Sequence, residues 1–263
     1  MNKQPKVGLA LGGGGARGLA HVGVLKVLVE EAIPIDYIAG SSMGAIIGAL
    51  FACGVEPLFM EKLLPQLRHI NWRDFTVPRM GLMSGNRVLE MFKTITGNRT
   101  FAETKIPLAV VATDLTKGER VVLKDGLLAE AMRASSAIPG VFQPVCCGEQ
   151  VLVDGAVIDR VPSGAVREMG AEVIIAVDVR FGGYEPTIRS AIDVILRSIE
   201  VLEREVTKGA ILDADVLINP PLAHIGTGNF EAMEECFLIG EEAARQALPL
   251  IREKLGTQRE RIT

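Results

Sequence analysis

The sequence predicts an α/β fold of three layers, in which helices cover both faces of a central, mostly parallel sheet. Short apolar runs rich in β-branched residues alternate with segments of helical periodicity. These runs are apolar along their whole length, which is typical of strands buried between two layers of helices. The predicted strands lie at 7–11, 35–39, 108–112, 121–123, 151–153, 173–177 and 216–218.

Helical periodicity appears between and after these strands. Residues 16–31 place Leu19, Val22 and Leu25 on one apolar side. A second helix is predicted over 43–53, and a longer one from about 229 to 254. The last residues are polar and are expected to form a frayed tail.

The composition limits the classes of protein to which this chain can belong. With 263 residues, 48% of them hydrophobic and 23% charged, the chain has enough apolar residues for one large core or for a domain with an inserted segment. The net charge of -4 argues against a general nucleic-acid binder. We find neither the apolar core of a signal peptide nor a membrane span, and therefore expect a cytoplasmic protein.

The four cysteines have no metal-ligand spacing. Cys146 and Cys147 are adjacent, whereas Cys53 and Cys236 are isolated. This pattern suggests reduced thiols rather than a zinc site or a disulfide framework, and no metal or other cofactor is expected.

The stretch Gly40–Gly44 reads G-x-S-x-G and connects the second predicted strand to a helical run. A serine on so sharp a turn is held away from the backbone, and the flanking glycines allow the chain to bend. The amino end of the following helix favours negative charge near Ser42. The pattern predicts a nucleophilic serine, with a simple helix N-cap as the alternative.

A glycine run, Gly12–Gly18, follows the first strand and opens a helix. Its successive amides can converge on an anion. They predict an oxyanion hole, although the G-x-G-x-x-G spacing also fits a dinucleotide or phosphate cradle, and a structural turn is a third possibility. The second strand runs into the serine turn and offers no acidic residue for a ribose, which weighs against the dinucleotide. Arg17 is expected to brace this loop, to meet an anionic substrate group or to be a plain solvated charge.

A serine nucleophile needs a base, and the residues alone leave several candidates open. His224 follows Asp178 and Asp215 in the order of a Ser-Asp-His triad, but it lies in a proline-rich loop. The other two histidines are His21, within the first helix, and His69. Asp114, Asp154 and Asp178 each follow a buried strand, and position does not separate them.

Four blocks of sequence resemble those of the patatin-like phospholipases. They are the glycine run at 12–18, Gly-Ser-Ser-Met-Gly at 40–44, the stretch 133–142, and Asp-Gly-Ala at 154–156. They occur in the order found in that family, and the likeness covers roughly residues 6–220. It is greatest to small bacterial members.

The resemblance implies a Ser-Asp dyad without a catalytic histidine. Ser42 matches the nucleophile and Asp154 the base, while Gly13, Gly14 and Gly15 match the oxyanion loop. Arg17 and Met43 are expected to support this loop or the substrate. The physics requires that burial raise the pKa of Asp154, because an ordinary aspartate is a poor base near neutrality.

The chain is therefore predicted to be a serine acyl hydrolase of phospholipase A type that acts on phospholipids or other acyl esters. A patatin-like domain is expected over 6–220, with a C-terminal helical extension over 221–263 packed on it. Membrane contact is expected to be peripheral and transient, and the oligomeric state is left open. The competing hypotheses are a nucleotide- or phosphate-binding module and a lipid-sensing regulator of slight activity.

Residues 57–104 break the alternation of strands and helices. We expect an inserted helical and irregular segment, which is either an ordinary pair of connecting helices or a lid that contacts an acyl chain. Its apolar residues include Trp72, Phe75, Pro78, Met80, Met83 and Phe92, and its arginines include Arg68, Arg73, Arg79 and Arg87.

Overall fold

The computed structural model of the protein describes residues 4–67, 73–77, 80–180, 188, 194–195, 197–202 and 213–261. Strands and helices alternate through these ranges. They are β1 (Val7–Leu11), α1 (Ala20–Glu30), β2 (Tyr37–Ser41), α2 (Met43–Ala52), α3 (Pro57–Leu67), β3 (Gly81–Met83), α4 (Asn86–Thr96), β4 (Leu108–Asp114), β5 (Glu119–Leu123), α5 (Leu128–Ser135), β6 (Gly140–Phe142), β7 (Val145–Cys147), β8 (Gln150–Asp154), α6 (Ser163–Glu168), β9 (Val173–Val177), β10 (Val216–Ile218) and α7 (Met233–Arg261).

A central sheet of eight strands is parallel over its larger part. Neighbouring strands are parallel throughout the order β10-β9-β1-β2-β4, with Leu11 opposite Val177 and Ser41 opposite Val111. Beyond them β5, β8 and β7 are antiparallel to their neighbours. The predicted α/β class with a mostly parallel sheet is confirmed.

Two strands share one edge of β4. β5 pairs with β4 over residues 110–114 and occupies one edge of it there. A strand has only two edges, so β2 and β8 both lie along the other edge. Ser41 of β2 stands opposite Val111, and Asp154 of β8 stands opposite Ala112, the next residue of β4. Because β8 is antiparallel to β4, the carboxyl ends of β2 and β8 meet.

The apolar core lies on both faces of the sheet. Helices α1, α2, α5 and α7 contribute to the larger cluster on one face, and α6 covers the other face next to β1, β2 and β9. Small residues of the strands allow α6 to pack closely. The buried cluster on its side includes Ala10, Ala39, Ala109, Val161, Ala165, Val166 and Ile174.

Helix α7 lies against α1. The ammonium of Lys26 on α1 binds Glu241 of α7 at 2.6 Å and Glu61 of α3 at 3.2 Å. At the crossing, a Cβ added to Gly23 of α1 would collide with the carbonyl oxygen of Phe237. A Cβ added to Gly240 of α7 would collide in the same way with the carbonyl oxygen of Ala20. The two backbones therefore touch without an intervening side chain.

Several element boundaries differ from the sequence prediction, among them the starts of the first helix and of the second strand. The first helix is split, because Gly15–Leu19 forms a 3-10 turn and α1 begins only at Ala20. The amide of Ala16, which would have no partner inside a helix that starts there, donates to the carbonyl of Thr227 at 2.8 Å. The second strand begins at Tyr37 rather than at residue 35, since the Asp36 carboxylate accepts the amide of Val7 at 2.8 Å just before it.

Within 57–104, the described residues form α3, β3 and α4. β3 pairs in parallel with β6 in a separate two-stranded sheet, with Met83 opposite Phe142. Arg68, His69, Trp72, Pro78 and Arg79 lie outside the described residues, and the lid remains a prediction. No helix in the described ranges is both long and apolar enough to span a bilayer.

Candidate active site

Ser42 occupies a tight turn between β2 and α2. Its backbone has φ +53° and ψ −122°, a conformation that costs a non-glycine residue about 1–3 kcal/mol. A Cβ on Gly40 would lie 2.5 Å from the backbone of Ala45, and one on Gly44 would collide with the carbonyl of Leu11. The two glycines let the turn fold onto the sheet and hold the serine at its edge.

A second serine supports this turn from α5. The amide of Ser42 donates to Ser135 Oγ at 2.9 Å, and that hydroxyl donates in turn to the carbonyl of Val111 at 2.6 Å. The hydroxyl of Ser41 donates to the carbonyl of Asp159 at 2.8 Å. The strained turn is therefore fixed by hydrogen bonds to β4, to α5 and to the loop after β8.

Ser42 and Asp154 face each other across the junction of β2 and β8. The Ser42 hydroxyl donates to Asp154 Oδ2 at 2.6 Å, and Asp154 Oδ1 accepts the amide of Ala156 at 2.9 Å. The backbone carbonyl of Asp154 accepts from the hydroxyl of Thr113 at 3.0 Å. Ser42 is 7% exposed and Asp154 is 5% exposed, so the pair is screened little by water.

Burial raises the pKa of Asp154 from its ordinary value of 3.8 to about 6. The hydrogen bonds from Ser42 and Ala156 act in the opposite direction, as does the positive charge of Arg180, but burial outweighs them. The carboxyl group is therefore ionised at neutral pH and also basic enough to accept a proton from a neighbouring hydroxyl.

The glycine loop lies beside this pair. A Cβ on Gly13 would stand 3.2 Å from the Cβ of Ser42. The Gly13 amide already donates to the carbonyl of Arg160 at 2.9 Å, so it is unavailable to an oxyanion. Within the described residues, the amides of Gly14 and Gly15 have no hydrogen-bond acceptor. Of the three predicted oxyanion donors, Gly14 and Gly15 therefore remain candidates.

Arg17 and Met43 both hold the loop. The guanidinium of Arg17 is buried and donates from Nε to the carbonyl of Ile225 at 2.6 Å, and from Nη2 to that of Ala223 at 3.2 Å. The side chain of Met43 fills the space where Gly18 would carry a Cβ. These contacts favour loop bracing over the other two roles considered for Arg17.

The other carboxylates that follow strands are engaged elsewhere. Asp114 Oδ1 accepts the amide of Thr116 at 2.9 Å. Asp178 forms a buried ion pair with Arg160 at 2.8 Å. Asp215, which directly precedes β10, accepts the amide of Ile174 at 2.8 Å.

The two histidines that the structure describes are likewise placed outside the serine site. His224 lies at the surface, where its Nε2 faces Glu235 Oε1 at 2.8 Å. The Nε2–H of buried His21 donates to the carbonyl of Gly12 at 2.7 Å, and burial lowers the pKa of His21 to about 4. His69 lies outside the described residues. The described contacts therefore assemble no Ser-Asp-His triad.

Sequence reasoning assigned no role to Ser135, Ala156 or Thr113. Ser135 falls in the block 133–142 that resembles the family, but nothing there indicates a bond to a residue 93 positions away. Ala156 belongs to the Asp-Gly-Ala block, where an amide two residues after an aspartate is a usual partner for its carboxylate. That local signal could have identified it.

The fold and the serine turn together define a class of α/β proteins in which a serine stands between a parallel strand and a helix. The family model of the patatin-like phospholipases matches residues 9–166. The chain belongs to this family.

Individual relatives agree with this assignment. An uncharacterized NTE family protein of Mycobacterium bovis is 38% identical over 180 residues, which are 68% of this chain and 50% of that protein. Patatin-like phospholipase domain-containing protein 7 of Rattus norvegicus is 36% identical over 186 residues, covering 66% of this chain and 13% of the rat protein. The chain thus matches about half the length of the mycobacterial relative.

The fold also has a solved counterpart. The crystal structure of VipD from Legionella pneumophila superposes with a TM-score of 0.58 at 14% identity, and the match covers 95% of this chain and 67% of VipD. At this identity the likeness concerns the fold alone.

Proposed function

We propose that this protein is a serine acyl hydrolase that cleaves carboxylic esters of lipids with a Ser42-Asp154 dyad. The observation that carries the proposal is the 2.6 Å hydrogen bond from Ser42 Oγ to a buried carboxylate whose pKa is raised to about 6. Membership of the patatin-like phospholipase family supports a lipid ester as the substrate.

The reaction begins with attack of Ser42 Oγ on the ester carbonyl carbon. As the oxygen–carbon bond forms, the hydroxyl proton passes to Asp154 Oδ2, and the carbonyl oxygen becomes an oxyanion. The amides of Gly14 and Gly15 and the amino end of α2 stabilise this charge. Protonated Asp154 then gives its proton to the leaving alcohol, and an acyl-serine remains.

Hydrolysis of the acyl-serine repeats these steps with water. Asp154 takes a proton from the water as its oxygen bonds to the acyl carbon. The second tetrahedral species collapses, the fatty acid leaves, and Asp154 returns the proton to Ser42 Oγ. Every proton transfer therefore uses the same carboxylate, which explains how the site works without a histidine.

Labelling with a fluorophosphonate probe tests the nucleophile. The folded protein should be labelled stoichiometrically at Ser42, and Ser42→Ala should take up no label. Ser41→Ala is the matched control, because Ser41 is the neighbouring buried serine and its hydroxyl points to the carbonyl of Asp159. Absence of labelling in the folded wild-type protein would favour the lipid-sensing regulator.

The pH dependence of hydrolysis tests the base. The value of kcat/KM for p-nitrophenyl butyrate should fall about tenfold per pH unit below the pKa of about 6, because only ionised Asp154 accepts the proton. A flat profile down to pH 5 would contradict the assignment of Asp154 as the base.

A further inference from the structure

We propose that His21 is a positioning residue, which holds the glycine loop in the conformation that the oxyanion hole requires. His21 lies in the first turn of α1, shortly after that loop, and its side chain is completely buried. The inference rests on the proposed function, because it connects His21 to the step in which the oxyanion forms.

The glycine loop needs support from outside. Its four consecutive glycines, Gly12–Gly15, have no side chains that could fix the loop in one conformation. An oxyanion hole, however, stabilises charge well only when its donors are in place before the reaction. The support therefore has to come from hydrogen bonds to the surrounding elements.

The peptide group between Gly12 and Gly13 is held at both ends. Its carbonyl accepts the Nε2–H of His21 at 2.7 Å, and its amide donates to the carbonyl of Arg160 at 2.9 Å. In a planar trans peptide these two groups point in opposite directions, so the two bonds together fix the orientation of the peptide group. The two amides that follow along the loop are the candidate oxyanion donors.

The same carbonyl also lies against the serine turn. A Cβ added to Gly44 would stand 2.8 Å from the carbonyl oxygen of Gly12. The bond from His21 thus holds this oxygen where the glycine loop meets the start of α2. Displacement of the carbonyl would change the position of the oxyanion donors relative to Ser42 Oγ.

The bond from His21 differs in kind from other bonds to this loop. The amide of Gly12 donates to the carbonyl of Val177 at 3.0 Å, and the amide of Ala16 donates to the carbonyl of Thr227 at 2.8 Å. Both acceptors are backbone groups, which a substitution leaves in place. The donor on His21 belongs to a side chain, so a substitution can remove it selectively.

The protonation state of the imidazole suits this role. A carbonyl oxygen can only accept, so the hydrogen of the neutral ring lies on Nε2. Nδ1 then has a buried lone pair without a hydrogen-bond partner, a cost that an apolar side chain of similar size would avoid. Packing alone therefore does not account for a histidine at this position. Burial lowers the pKa of His21 to about 4, so the donor stays uncharged while Asp154 titrates near pH 6.

Steady-state kinetics with p-nitrophenyl butyrate test the role. His21→Leu fills a similar volume without a donor. It should lower kcat about 10–100-fold and change KM by less than about twofold, because a displaced oxyanion donor affects the transition state more than the bound ester. The side-chain amide of His21→Gln lies as many bonds from the backbone as Nε2 does, and this variant should return kcat to within about fivefold of the wild type.

Leu28→Ala is the matched control for loss of stability. Leu28 is also completely buried on α1, but it lies about two turns beyond His21. This variant should lower the thermal midpoint and keep the wild-type kcat per folded molecule. An equal loss of kcat in Leu28→Ala would overturn the inference, as would a His21→Leu variant with the wild-type kcat or a His21→Gln variant as slow as His21→Leu.

Nuclear magnetic resonance of the wild-type protein with nitrogen-15 histidine tests the bond itself. The His21 ring, assigned by its absence in His21→Gln, should carry its proton on Nε2 and should not titrate between about pH 8 and about pH 5.5. A proton on Nδ1, or titration near the ordinary pKa of 6.5, would overturn the inference. If the wild type failed to hydrolyse the ester, the proposed function would be at fault, and the spectrum would still report on the bond to Gly12.

Discussion

Asp154 and Asp114 both end strands of the same sheet and pair with each other's strands, yet their surroundings have opposite effects. Burial dominates at Asp154 and raises its pKa to about 6. At Asp114 burial also acts to raise the pKa, but hydrogen bonds from the amides of Thr116 and Val151 outweigh it and lower the pKa below 3.8. The same residue type thus has a raised pKa in one place and a lowered pKa in the other.

The difference in pKa follows from the hydrogen-bond donors that surround each strand end. β4 continues past the end of β2, so Asp114 reaches a turn whose amides point at it. β8 runs in the opposite direction and stops beside Ser42 with one amide and one hydroxyl as partners. A carboxylate with few donors in a buried position keeps its affinity for a proton, which general-base catalysis requires.

The largest expected effect is a difference in catalytic activity between variants of these two aspartates. Asp154→Asn should lower kcat on p-nitrophenyl butyrate by about 10²–10⁴-fold, because the amide cannot take the proton of Ser42. Asp114→Asn should keep most of the wild-type turnover. A comparable loss in both variants would show that the two carboxylates are not functionally distinct.

The next effect concerns Asp178, a third carboxylate at a strand end. Asp178→Asn leaves the buried guanidinium of Arg160 without its counter-charge and should lower the free energy of unfolding by about 3–5 kcal/mol. Urea denaturation measures this change. The paired variant Arg160→Met with Asp178→Asn removes both charges, keeps an oxygen acceptor for the amide of Arg180, and should recover most of the loss. An equally unstable paired variant would argue against the ion pair as the cause.

A smaller effect appears as a pH dependence of stability. The folded-state pKa of Asp154, about 6, lies above its ordinary value of 3.8, so between these values the folded protein binds more protons than the unfolded chain. Below this window Asp154 does not lower the free energy of unfolding. As the pH rises through the window, Asp154 lowers it by a growing amount. Relative to Asp154→Asn, the wild type should lose about 1 kcal/mol between pH 5 and pH 7. Parallel urea-titration curves for the two proteins would exclude a raised pKa.

The smallest expected effect is a pH dependence of stability caused by Asp114, with the sign opposite to that caused by Asp154. Its lowered pKa means that ionised Asp114 stabilises the fold above the unfolded value, and that this contribution is lost as the pH falls through the folded value. Asp114→Asn should lower the urea midpoint slightly at pH 7, and the difference from the wild type should shrink below pH 4. A difference that grows on acidification would contradict a lowered pKa of Asp114.

The sequence predicted the central fold because each parallel strand carries its own apolar run. It could not rank Asp114, Asp154 and Asp178, because that choice depends on the direction and register of β8 along β4. Those are properties of the assembled sheet. The pairing of Ser42 with Asp154 came from the family resemblance rather than from position.

The glycine loop shows a second limit of the same kind. The run of glycines predicted several free amides, but it did not reveal that the carbonyl of Arg160 takes the amide of Gly13. That contact joins residues far apart in the sequence, and the glycine run itself carries no sign of it.

The reciprocal glycine contact of α1 and α7 has a consequence for cooperativity. Since a methyl group at Gly23 or Gly240 would strike the opposing backbone, we expect the two helices to open as one unit. Their central amides should then report one shared opening free energy in hydrogen exchange under native conditions. Residues 233–251 would then belong to the same cooperative folding unit as the glycine loop, although the family model ends at residue 166.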